Sequence, residues 1–164
     1  MVIKPPQKYK FERYNCTVFL GGSIEMGAAE DWQVEITDLI EKNCDNVTIL
    51  NPRRDNWDPS WKQSKDNPLF KEQVTWELDG LENSDIQIFY FAPNTKSPIT
   101  LLELGLFAAQ STTIVYCTDE FWRKGNIDIV CERYNIKCFD DKEQFKRSVV
   151  ETITAKALKI KQLY

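Results

Sequence analysis

Glu103 is the only charged residue in the stretch Ser97-Pro-Ile-Thr-Leu-Leu-Glu-Leu-Gly-Leu-Phe-Ala-Ala109. The stretch reads as a helix, with Ser97 able to cap the free N–H groups and Pro98 pre-set for the first helical position. Its side chains are apolar nearly all round, so the pattern predicts burial over most of the circumference. Ile99, Leu106 and Phe107, three or four residues from Glu103, offer it no partner. Such a carboxylate either faces a cleft, with its pKa raised by burial, or is a half-exposed glutamate near a helix start. Gly105 weakens the helix and leaves room for a strand or ligand to come close. Glu77 is a second acid out of place. It falls on or beside the apolar stripe Phe70, Val74, Leu78 and Leu81 of another predicted helix.

The chain has 164 residues and no histidine. Ser-His and Cys-His nucleophiles and most zinc catalysis are thereby excluded, and proton transfer falls to carboxylates, Tyr, Lys or Cys. The five cysteines form no Cys-x-x-Cys pair, which favours reduced thiols in a cytosol over a disulfide frame or a zinc site. A net charge of −4 argues against a nucleic-acid backbone as main partner. The chain has neither a membrane-length apolar run nor a signal-peptide pattern, so a cytoplasmic protein is expected.

Two further stretches carry binding groups. A strand over 16–20 runs into Gly21, Gly22 and Ser23, where glycines let the backbone pass close to a ligand or simply make a turn. No GxGxxG and no P-loop lysine follows, so a dinucleotide or Walker reading is weak. After a strand over 47–50 comes a loop over 51–61 with Asn51, Arg53, Arg54, Trp57 and Trp61. Its arginines and tryptophans either clamp a planar polar ligand or staple the loop to the body.

The elements that must hold these groups alternate. Residues 1–14 read as a polar lead-in, and 15–164 as a single domain. Helices are predicted over 28–43, 70–83 and 140–163. Strands are predicted over 16–20, 47–50, 86–92, 113–117 and 136–139, and 119–134 reads as a loop with a short helix. This is an α/β chain, a flavodoxin- or Rossmann-like three-layer sandwich with a five-stranded parallel sheet. The expected order is 2-1-3-4-5, with a ligand crevice outside the first and third of these strands, where the order reverses.

Strand-Gly-Gly-Ser, then Glu77-Leu-x-Gly-Leu, then Glu103-Leu-Gly-x-x-Ala resembles the nucleoside 2-deoxyribosyltransferase superfamily, which includes 2'-deoxynucleoside 5'-phosphate N-hydrolases. The resemblance spans residues 16–117. It implies Glu103 as catalytic nucleophile and Glu77, one methylene longer than the usual Asp, as the acid for the leaving base. Ser97 stands six before the nucleophile, where hydrolases hold a phosphate. Glu25 stands where those hydrolases carry Arg, which opposes a phosphate, and Phe19 replaces a transferase Tyr. Asn126 lies where some transferases lend an Asn to a neighbouring subunit.

The implied chemistry breaks an N–C1' bond through an oxocarbenium-like transition state, with no metal or cofactor. The partners implied are a nucleoside or nucleotide and a nucleobase acceptor, as in base salvage, within a homo-oligomer. That assembly would pack through the helices of Glu77 and Glu103, because the Glu103 helix is more apolar than a sheet cover needs. The alternatives are hydrolysis of 2'-deoxynucleoside 5'-monophosphates and a non-catalytic nucleotide sensor on the same fold.

Overall fold

The computed structural model describes residues 1–24, 30–110 and 112–163. Its chain order is β1 (Val2–Ile3), β2 (Cys16–Gly22), α1 (Trp32–Asn43), β3 (Val47–Leu50), α2 (Pro68–Asn83) and β4 (Ile86–Phe91). Then come α3 (Pro98–Phe107), β5 (Thr112–Cys117), α4 (Lys124–Arg133), β6 (Lys137–Phe139) and α5 (Lys142–Gln162). The sheet has six strands in the order β1-β3-β2-β4-β5-β6, and every pairing is parallel. The five expected strands take the expected order. The sixth comes from the polar lead-in, where Val2 and Ile3 pair with Ile49 and Leu50 at the edge. The predicted start of α1 at Ala28, like Glu25, lies outside the described residues.

Alternation along each strand divides the core into two layers. Val18 and Leu20 of β2, Ile88 and Tyr90 of β4, and Ile114 of β5 face one layer, covered by Trp32 and Ile36 of α1 and Phe145 and Val149 of α5. Phe19, Phe89 and Val115 face the other, with Trp76 and Leu81 of α2, Leu104 and Phe107 of α3, and Ile127 of α4. Helices on both faces explain why the strands read as nearly continuous apolar runs. Among the described residues, no helix is long and apolar enough to cross a membrane.

Two helices differ from their predicted faces. The buried positions of α2 are Gln73, Trp76, Gly80 and Leu81, whereas Phe70, Val74 and Leu78 are only partly covered. The helix is turned toward its large anchor, Trp76, and toward Gly80. A Cβ on Gly80 would lie 2.8 Å from the Phe19 ring, so α2 sits directly on β2 only because that position is glycine. Helix α3 is not buried over most of its circumference. Thr100, Glu103, Leu104 and Phe107 face inward, while Ile99, Leu102 and Leu106 are 60%, 58% and 49% exposed. Gly105 has nothing within 4 Å of where its Cβ would be, so no strand of this chain approaches it.

Candidate active site

Helix α2 leads into β4 and α3 leaves it, so both start from the carboxyl-end side of the strands, and both cover the same face of the sheet. Glu77 and Glu103 each lie just past the middle of their helix. Glu103 follows Thr100 and precedes Leu104 and Phe107 on the inward stripe, and is itself buried. Glu77 lies between Trp76 and Gly80 and keeps a partial opening to solvent.

Burial raises both acids, because a carboxylate loses its hydration there. Glu77 is pushed up to about 7, with a hydrogen bond from Gln73 acting the other way. Glu103 is pushed up to about 8, by burial first and by the nearby charge of Glu77 second. With both carboxyls raised into the neutral range, the two together retain about one proton there. Glu77 is the more acidic of the two, so in the free protein the proton that remains sits on Glu103. A nucleophile at Glu103 and an acid at Glu77 require that proton to move to Glu77. Two recesses among the described residues lie at the amino ends of strands, away from both acids, one beside Met1 and Val47 and the other beside Thr112 and Asn135.

The second part of the site is a knot of hydroxyls at the mouth of the crevice. The Ser23 and Ser97 hydroxyls are 2.6 Å apart, and Thr95 lies 2.9 Å from Ser23 and 3.0 Å from Ser97. The Ala92 N–H donates to Ser23 Oγ at 3.0 Å, and the Thr95 hydroxyl donates to the Ala92 carbonyl at 2.8 Å. Gly22 ends β2 where a Cβ would meet both the Trp32 ring and the Tyr90 carbonyl at 2.5 Å, which keeps the first loop tight against β4. Gly21 pairs with Phe89 just before it.

Ser97 precedes α3 as expected and Pro98 opens the helix, but the Ser97 side chain does not cap it. The residue takes φ 44° and ψ 51°, a left-handed conformation that costs a non-glycine residue about 1–2 kcal/mol. That backbone turns its hydroxyl into the knot. Strain at such a position is more common in binding sites than in ordinary helix starts.

The loop after β3 divides between the two uses considered for it. Asn51 is buried, and its Oδ1 accepts from the Arg53 N–H at 2.9 Å, which shapes the turn. Arg53 pairs with Asp31 at 3.5 Å and donates to the Glu30 carbonyl and Gln33 Oε1 at 3.3 Å, so it braces the start of α1. Arg54 lies over the Trp61 ring at 5.0 Å and pairs with Glu72, while Trp57 packs on Trp61 at 5.1 Å. These contacts staple the loop. The Trp57 indole N–H nonetheless is buried with no partner. Asn126 is exposed on α4.

Phe19 is fully buried under Gly80 and brings no hydroxyl to the acids. Gln73, which sequence reasoning passed over, is the direct partner of Glu77 at 2.8 Å. Its i, i+4 spacing to Glu77 was the available signal.

A solved structure, a conserved protein from Enterococcus faecalis V583, is similar in fold. The TM-score is 0.51 at 12% identity, with 92% of this chain and 99% of that chain covered. No curated protein matches the sequence. A family model described as nucleoside 2-deoxyribosyltransferase like matches residues 15–121, which contain the hydroxyl knot, both acids and every strand from β2 to β5. With that match covering well over half of its length, the chain belongs to the nucleoside 2-deoxyribosyltransferase-like family.

Proposed function

We propose that the protein cleaves the N-glycosidic bond of 2'-deoxynucleosides and transfers the deoxyribose to a second nucleobase. The observation that carries this reading is the pair of acids on adjoining helices, both raised into the neutral range by burial, inside the family match. With the substrate bound, the proton held by Glu103 passes to Glu77. Ionised Glu103 attacks C1', the C1'–N bond breaks, and its electron pair leaves with the base, which takes the Glu77 proton. The product is a deoxyribosyl ester of Glu103. A ring nitrogen of the second base then attacks C1', the ester bond breaks and Glu103 is ionised again. The incoming base returns its proton to Glu77. Apolar packing around C2' rejects ribose. Residues 21–23 and Ser97 surround the 5' end of the sugar, and the loop carrying Asn51, Arg53 and Trp57 borders the base.

The reading includes a homo-oligomer. Ile99, Leu102 and Leu106 form an exposed apolar stripe on the helix that carries the nucleophile. Asn126, exposed on α4, belongs in this assembly to a neighbouring subunit's site.

A second reading, hydrolysis of 2'-deoxynucleoside 5'-monophosphates, is favoured by one observation. Three hydroxyls converge at the start of α3, where helix N–H groups also attract an anion. Incubation with deoxyadenosine, with and without cytosine, and separately with dAMP distinguishes the readings. Deoxycytidine formed only when cytosine is added is the expected product. Deoxyribose 5-phosphate from dAMP would instead make the enzyme a hydrolase, and no product from either would leave a binding protein.

A further inference from the structure

Gln73 is buried on α2, one turn before Glu77. Its side-chain nitrogen donates to the carbonyl of Pro52 at 3.0 Å and to Glu77 Oε1 at 2.8 Å, which uses both amide N–H groups. The orientation is forced. A flipped amide would set its oxygen against the Pro52 carbonyl, acceptor facing acceptor. Glu77 Oε1 therefore faces a donor, and it cannot carry a proton in that direction. The Gln73 carbonyl oxygen is buried with no partner, a desolvation cost that an apolar side chain at this position would avoid.

We propose that Gln73 is a positioning residue: it locks the Glu77 carboxyl in place and confines any proton on Glu77 to Oε2, the oxygen free to face a leaving group. This rests on the reading of Glu77 as the acid. The groups acting on Glu77 are few. Gln73 reaches it along α2, and Glu103 faces it from α3 and feels its charge. The loop that Gln73 holds carries Arg53 and Arg54, which pair with Asp31 and Glu72. The single amide thus joins the acid to the loop bordering the base, and fixes the acid's orientation relative to that loop.

A donor on Oε1 favours ionised Glu77, so removing it must make the carboxyl hold its proton to higher pH. Gln73→Met keeps length and shape and deletes both N–H groups. Carboxyl carbons of glutamate labelled with carbon-13 are titrated in the free protein. The expected result is a Glu77 midpoint about one pH unit higher in Gln73→Met, with both limbs of the pH–rate profile moving the same way. A folded variant with unchanged midpoints overturns the proposal, because a merely structural glutamine would lower activity without moving them. In the unaltered protein, the Gln73 side-chain amide protons are expected to titrate with the Glu77 midpoint. Amide protons that ignore that titration overturn the proposal even if the variant fails to fold. The titrations need no substrate, so a protein that shifts as expected but turns over no deoxynucleoside contradicts the functional reading and leaves the role of Gln73 standing.

Discussion

The hydroxyls of Ser23 and Ser97 meet at 2.6 Å across 74 residues of chain, and this contact ties the loop after β2 to the loop after β4. Ser97 has given up an ordinary local role to reach it. Ser97 leaves the helix uncapped and adopts a left-handed backbone, and Ser23 follows a glycine pressed against Trp32 and Tyr90.

Ser97→Ala tests what the knot holds. Thr95 and the Ala92 N–H still engage Ser23, so the variant is expected to fold, with a loss of about 1 kcal/mol. Under the transferase reading, KM rises equally for a deoxynucleoside and its 5'-monophosphate. Steady-state kinetics on both substrates provide the check, and a rise confined to the nucleotide would move the assignment to the hydrolase.

Gly80 tests how the acid on α2 is placed. Its Cβ position is 2.8 Å from the Phe19 ring and 3.3 Å from Leu50, and both side chains are fully buried. Gly80→Ala is expected to cost about 1–3 kcal/mol by overpacking. By lifting Glu77, it is also expected to lower kcat about 10- to 100-fold. Adding Phe19→Leu should recover part of both, as read by urea unfolding and initial rates.

The acid pair makes stability depend on pH. Both carboxyls hold their protons in the folded chain above the ordinary value of 4.5, to about 7 and about 8. The stability from this excess proton binding is complete below about 4.5 and is lost as pH rises through those folded values. Unfolding midpoints should therefore fall between pH 5 and 8. In Glu103→Gln the fall should be smaller by an amount on the order of a few kcal/mol. Parallel pH profiles for the two proteins would contradict the raised carboxyl of Glu103.

Much of this site was legible in the sequence, because a lone acid in an apolar helix has few places to go. Glu103 lies on the buried side of α3, and five strands and their order follow from alternating apolar runs and helical stripes. The roll of α2 was not legible. Apolar counting favours Phe70 and Val74, whereas packing is decided by one large ring, Trp76, and one missing Cβ, Gly80. Val2–Ile3 is too short to show a period. The cap expected of Ser97 was lost to a tertiary contact, since a hydroxyl that can bond its own helix can also bond Ser23. On α3 hydropathy pointed the wrong way, with Thr100 and Glu103 inside and three large aliphatic side chains outside.

Those three side chains carry a prediction of their own. A stripe of Ile99, Leu102 and Leu106 on one helix is expected to meet a second copy of the chain, with Gly105 leaving room for a close approach. Light scattering at micromolar concentration should give at least a dimer, and Leu102→Asp should shift it to monomer. A monomeric, fully active unaltered protein would show that the loop over 51–61 closes the site within one chain.

The central claim is that Glu103 becomes covalently attached to the sugar. Mass spectrometry of protein quenched during turnover of deoxyadenosine tests it most directly. The account predicts a deoxyribosyl adduct on the peptide containing Glu103, absent in Glu103→Ala, together with a loss of rate in that variant of about 10⁴-fold or more. A folded Glu103→Ala protein that turns over deoxyadenosine at the unaltered rate, with no adduct on the parent chain, would contradict it.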